Sequence, residues 1–349
     1  MTRICFVYPN LSSFVKKDLE TLKHHYELDP IRPHAFIIPS LDKSPMGIVQ
    51  LFFKIIKCDL VFCWFADINA FYSVFFGKIF RKKSIVVVGG VDAASFPKYN
   101  YGYFSKFSSR IITTLTYKLV DRILPVDDSL KRNIIQYLPF KKEIDKKTFC
   151  VPTGYDSKFW KAHRKKEDVV LTVLASIDMN TFFRKGILTF IKAANFFPEY
   201  LFIIVGKISK EMQNTSLPSL LKTYNGDLSL PSNVAFTGFV SSQKLLQLYS
   251  KSKVYCQFSL SEGLPNSLCE AMLCECVPVG TFVNGIPEAI GNTGFFVKFE
   301  NVSSAVDGIK KALNNSLNLG VLARKRIITK FPLRKRAREL VQMIEETRR

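Results

Sequence analysis

Residues 253–270 read KVYCQFSLSEGLPNSLCE: an apolar strand-like run, a Gly-Leu-Pro-Asn turn, then an apolar helix-forming segment. Strand, tight turn and helix in that order form the repeating unit of a parallel sheet with helical crossovers. Gly263 lets the backbone approach a ligand closely, Pro265 suits the beginning of a helix, and Asn266 or Ser267 can cap it. The bare amides of such a helix start, reinforced by the helix dipole, form an anion site. Glu262 lies in the turn and Glu270 about one turn inside the helix. A carboxylate at 270 cannot bind phosphate, but its two oxygens can accept both hydroxyls of a ribose. Glu262, in the loop, can reach a sugar hydroxyl. Singly, each glutamate reads better as a helix-start acid that complements the dipole. Together, with seven residues between them, they are a much rarer combination.

Working outward, strand-like runs alternate with helix-period segments along the whole chain. In the first half they fall at 4–8, 60–64, 85–88 and 122–125, and in the second at 169–174, 201–205, 234–236, 254–258 and 277–280. At 349 residues the chain suits two domains, each burying its own core. Turn chemistry and charge replace periodicity from Val151 through Asp156 and on to Asp168, which places the linker there. The expectation is an α/β protein of two Rossmann-like, doubly wound domains facing a cleft. The first covers 1–155, completed by a helix at 331–349, and the second covers 156–330. Ligands of open parallel sheets bind beyond the carboxyl ends of the strands, which favours the cleft as the active site.

The segment 262–272 closely resembles the Glu, seven residues, Glu motif of glycosyltransferase family 4. The resemblance continues through Asn284-Gly285-Ile286-Pro287-Glu288 downstream and Asn233-Val234-Ala235-Phe236-Thr237-Gly238-Phe239 upstream. It is weaker at Gly154-Tyr155-Asp156, at Lys185-Gly186 and in the closing helix from Phe331. It implies the GT-B architecture and a metal-independent, retaining transfer of a sugar from a nucleotide diphosphate carrier. The acceptor it implies is a glycan or a lipid-linked saccharide. By position in the motif, Glu270 would hold the donor ribose and Glu262 the transferred sugar. Gly263, Leu264 and Pro265 would bring amides to the donor, beside the helix start at Asn266 and Ser267. Phe239, after Gly238, would lie beside the base.

Breaking the bond between sugar and diphosphate builds charge on the departing phosphate, so fixed cations must wait there. Arg184 and Lys185, before Gly186 at the start of a helix-like segment at 185–195, are the candidates; the alternative is a basic cap facing solvent. With those cations a divalent ion is not needed, and no strand-end Asp-x-Asp cluster offers to hold one. No other cofactor is expected. Three positions depart from the family pattern. Val88-Gly89-Gly90-Val91-Asp92 stands where an N-domain histidine is common, leaving Asp92 either to orient an acceptor hydroxyl or to cap an Asx turn. The loop after the first strand is Pro9-Asn10-Leu11-Ser12-Ser13 rather than a glycine pair. Ser176 replaces an arginine that often follows the first strand of the second domain, a role open to Arg184.

The net charge of +21 points to anionic partners. Residues 97–110, PKYNYGYFSKFSSR, interleave aromatic and basic side chains. They read either as a dock for an acceptor at an anionic membrane surface or as an internal helix with snorkelling lysines. The closing segment 324–349 is strongly basic, with Leu333, Ala337, Leu340, Val341 and Ile344 at helical spacing. Eight cysteines lack a CxxC pair, which fits a reducing compartment and structural burial. His24, His25, His34 and His163 show no ligand spacing. The amino-terminal run lacks a signal peptide's features and residues 60–80 are interrupted by Asp67, Asn69 and Lys78, so a cytoplasmic protein is expected, on the membrane's cytoplasmic face if it docks there. Two rival readings use the same fold: an inactive nucleic-acid-binding protein, for which no motif is recognisable, and a nucleotide-sugar epimerase. No GxGxxG follows any strand, which disfavours a dehydrogenase.

Overall fold

A computed structural model describes residues 1–32, 46–214 and 230–349. The chain divides into two compact units, Met1–Gly154 with Leu333–Arg349, and Tyr155–Pro332.

The first unit is built on five parallel strands in the order β2-β1-β3-β4-β5. They are β1 (Arg3–Val7), β2 (Glu27–Ile31), β3 (Leu60–Trp64), β4 (Lys83–Val88) and β5 (Arg122–Pro125). β3 is buried at every residue, as an inner strand covered on both faces must be, and its sequence LVFCW is continuously apolar. Sequence periodicity misses β2, ELDPI, because it is an edge strand with mixed polarity and a proline, which only an edge tolerates.

The helix Leu333–Arg348 returns to this unit. Its inward stripe is Arg336, Leu340, Ile344 and Thr347, while Ala337 and Val341 are only half-buried. Arg336, one of many basic residues in this closing segment, is buried. Its Nε and Nη2 donate to the two carboxylate oxygens of Asp18 at 3.1 and 2.6 Å, its Nη1 donates to the Val151 carbonyl, and Trp64 Nε1 donates to Asp18 at 3.1 Å. A buried charge needs this density of partners, and a strongly basic sequence hides which arginine has them.

The second unit holds six parallel strands in the order β11-β10-β9-β6-β7-β8. These are β6 (Glu167–Ile177), β7 (Leu201–Ile208), β8 (Val234–Gly238), β9 (Ser252–Gln257), β10 (Val277–Thr281) and β11 (Phe295–Val297). β11, three residues at an edge, is too short for periodicity to reveal. Cys269, Cys274 and Cys276 are buried, the last donating to the Tyr249 carbonyl at 3.1 Å. Residues 60–80 form β3 and the helix Ile68–Ile79, and no helix among the described residues is long and apolar enough to cross a membrane. Of the four histidines, His34 lies outside the described residues.

Candidate functional site

The second unit gathers most of the expected residues at the carboxyl ends of β6, β8, β9 and β10. After β9 the chain runs through residues 258–265 into the helix Asn266–Leu273. Pro265 occupies the N-cap, and neither Asn266 nor Ser267 caps the helix with its side chain. Proline before the first helical residue sets the entry angle. Ser267 turns back to the sheet instead, where it receives the Tyr255 hydroxyl at 2.8 Å. Glu270, one turn inside, is buried, as are Gly263, Leu264 and Pro265.

Glu262 and Lys185 form an ion pair, Nζ to Oε1, although 77 positions separate them. The same oxygen accepts from Gln257 Nε2 at 2.7 Å and Ser259 Oγ at 2.6 Å. All three donors thus end on Oε1. Burial pushes the Glu262 pKa up, but the Lys185 ammonium, hydrogen bonds from Lys185 and Ser259, and the charge of Arg184 outweigh it and hold the group below its ordinary value. Burial lowers the Lys185 pKa, Arg184 adds to that, and Glu262 restores part of it. The pair continues inward through Gln257, which donates to Ser259 at 2.8 Å and accepts from Tyr255 at 3.0 Å. Sequence reading does not single out Tyr255, Gln257 and Ser259. Their signal is polar residues at alternate positions, 255 and 257 in β9 and 259 just beyond it.

Arg184 and Lys185 do not start a helix. Arg184 ends the helix Met179–Arg184, and Gly186, at φ +67°, breaks the chain before the helix Ile187–Ala194. A Cβ at Gly186 would lie 2.3 Å from the Phe258 carbonyl oxygen. Only glycine admits this approach, which brings the 184–186 corner against the loop after β9, where Leu260 N donates to the Arg184 carbonyl at 2.8 Å. Arg184 itself is buried. On the other flank, Asn284 takes a left-handed φ of +46°, and its Oδ1 accepts from Ser261 Oγ at 3.0 Å and Glu262 N at 3.4 Å. Gly238, φ +70°, ends β8 with open space where a Cβ would stand, and Phe239 beyond it is 78% exposed.

Asp92 belongs to the first unit and is fully buried. Its Oδ1 accepts from Gly89 N and Gly90 N at 3.1 and 3.0 Å, and its Oδ2 from Ala66 N at 3.1 Å. Burial raises its pKa to about 6 against those amides. The carboxylate is therefore engaged with backbone, through amides that precede it in the chain and not through the amide two residues on that an Asx turn uses. Among the described residues no group of three or more His, Cys, Asp and Glu could hold a metal ion.

Residues 157–330 match the family Glycosyl transferases group 1. The phosphatidylinositol N-acetylglucosaminyltransferase GPI3 subunit of Saccharomyces cerevisiae is 24% identical over 230 residues, 61% of this chain and 48% of that protein, so the chain spans about half the length of that curated relative. HepE of Anabaena, solved with UDP and glucose, aligns with a TM-score of 0.76 at 14% identity over 99% of this chain and 100% of that one. A glycosyltransferase of Rickettsia africae gives 0.75 at 16% over 99% and 98%. At such identities the structural likeness is one of fold. The chain has the GT-B fold, and residues 157–330, in its second unit, carry the Glycosyl transferases group 1 domain.

Proposed function

We propose that the chain is a member of glycosyltransferase family 4 that moves a sugar from a uridine diphosphate carrier to a glycan or glycolipid acceptor, with retention and without a metal ion. The observation that carries this reading is the Lys185–Glu262 pair at the carboxyl ends of β6 and β9, beside the amides of the helix Asn266–Leu273. The UDP and glucose bound to HepE and the glycolipid-synthesising GPI3 subunit support the choice of donor and acceptor class.

In this reading the acceptor oxygen bonds to the anomeric carbon as that carbon's bond to the diphosphate oxygen breaks. The bonding electrons leave on the diphosphate, which also takes the acceptor proton. An ammonium has three donor positions; Lys185 directs one to Glu262, and another reaches the leaving oxygen, with Arg184 adding charge to the same corner. Preorganised cations of this kind stabilise the charge that develops only in the transition state. Glu262, anchored through Oε1, offers Oε2 to a sugar hydroxyl. Glu270 takes the ribose hydroxyls, amides at 263–267 line the diphosphate, and Phe239 covers the base beyond Gly238. Asp92 holds the Gly89-Gly90 turn and acts on the acceptor through that backbone.

The test is calorimetric binding of UDP to the full chain and to Glu270→Ala. Loss of about a hundredfold in affinity is expected, from two charged hydrogen bonds; equal affinity refutes the ribose role. Release of UDP from the donor sugar only when acceptor is added separates transfer from epimerisation.

A further inference from the structure

In the first unit, three helices link successive strands: Met46–Lys57 joins β2 to β3, Ile68–Ile79 joins β3 to β4, and Phe107–Leu119 joins β4 to β5. The middle helix packs against both others, so the three form one layer. Each turns a row of large apolar side chains to the outside. On the first these are Val49, Phe53 and Ile56; on the second, Phe75 and Ile79; on the third, Phe107 at 82% exposure, Ile111 and Leu115. The spacings of three and four residues put each row on one helix face. Underneath, Phe52 joins the first two helices, its ring 5.5 Å from Phe76 and 5.7 Å from Phe53. A groove of about 330 Å³ continues the third row towards Tyr137 and Pro139.

Isolated surface hydrophobics need no explanation, but rows on three adjoining helices do. The charges on the same layer are one-sided. None of the three helices contains an aspartate or glutamate, whereas they carry Lys54, Lys57, Lys78, Arg110 and Lys118, with Arg81 and Lys106 at their ends. Lys54 and Lys78 are paired with Asp29 and Asp121, while Lys57, Arg81, Lys106, Arg110 and Lys118 are exposed. Two copies of the chain meeting through this face would set like charges against each other. A surface that accepts apolar side chains below a layer of negative charge fits both features.

We propose that this three-helix face docks the protein on an anionic lipid bilayer, its phenylalanines entering the interface and its basic residues lying among the headgroups. The stretch 97–110 contributes only its end to this surface. Phe104 is buried, Tyr101 and Tyr103 are half-buried, and Phe107 and Arg110 belong to the third helix. The inference stands apart from the donor chemistry, because no residue of the UDP site takes part.

The experiment is co-sedimentation of the full chain with vesicles of phosphatidylcholine, with and without phosphatidylglycerol. Wild type is expected to sediment with the mixed vesicles and to be released by salt. Phe53→Ser, Phe75→Ser and Phe107→Ser should each weaken binding about tenfold. Arg110→Gln and Lys118→Gln should each weaken it about fivefold. All five side chains are exposed, so the urea unfolding of the first unit should match wild type in every variant, which establishes that the fold is intact. The proposal is overturned if wild type ignores mixed vesicles, if the triple serine variant binds them as well as wild type, or if wild type self-associates in solution through this face and the triple variant does not.

Discussion

Both units carry an acid just beyond the carboxyl end of an inner strand, Asp92 after β4 and Glu262 after β9, and the two are held in opposite ways. Asp92 gives both oxygens to backbone amides and is sealed from solvent. Glu262 gives one oxygen to three side chains, among them the Lys185 ammonium. Amides fixed in a turn cannot change partners without unfolding it, whereas an ammonium on a four-carbon stem can share its protons with an arriving phosphate. An acid at a strand end is therefore free to exchange partners with a ligand only when those partners are side chains. The same contrast separates the buried Asp18–Arg336 pair, which fastens the final helix, from the Lys185–Glu262 pair, whose side chains keep 20% and 13% of their exposure.

Five experiments bear on that contrast. The largest effect belongs to the sealed pair: Arg336→Ala strands the Asp18 carboxylate and should cost about 3–5 kcal/mol in urea unfolding of the first unit. A neutral result there would mean that the return of the helix does not depend on the pair. Lys185→Ala should next reduce kcat about 10²–10³-fold while leaving the melting of the first unit unchanged. A loss confined to KM would assign Lys185 to ground-state binding instead. Asp92→Asn tests the sealed acid through pH. Its folded pKa of about 6 lies above the unfolded value near 3.8, so wild type has the full benefit of the protonated group below about pH 4 and loses it as pH rises through 6. The asparagine variant lacks this titration and should gain on wild type by about 2–3 kcal/mol between pH 4 and pH 7; parallel stability curves would show that Asp92 is not desolvated as described. Smallest of all, Phe239→Ala should weaken UDP binding by about 1 kcal/mol, the size of one exposed ring contact. Turnover unaffected by EDTA would complete the series, since Arg184 and Lys185 are assigned the charge a metal would supply.

The inner strands were legible because burial on both faces demands continuous apolar runs, as in LVFCW and SIVVV. The motif at 262–270 was legible because the turn and the helix start are local in sequence. What stayed hidden was of longer range. Lys185 and Glu262 were each picked out, yet as groups awaiting a ligand; that they meet one another depends on β6 and β9 being neighbours, which strand counting alone does not fix. Arg336 was lost among many basic residues, since a buried and a solvated arginine look alike until Asp18 is seen beneath it. The break at Gly186 was missed because helix-period residues continue on both sides, and the reason for it, the Phe258 carbonyl, comes from another part of the chain.

Residues 258–264 are wedged between two glycines. A methyl group at Gly186 would collide with the Phe258 carbonyl, and one at Gly285 would sit 2.2 Å from that of Gly263. The wedge consequently has no independent travel: a shift at Glu262 is transmitted to the helix Gly285–Ile290 on one side and to the Arg184–Lys185 corner on the other. On the proposed reading, a donor pressing on this segment would be sensed by the three neighbouring segments as a single body, and selectivity for the sugar would be encoded in their common stiffness as well as in the atoms that touch it.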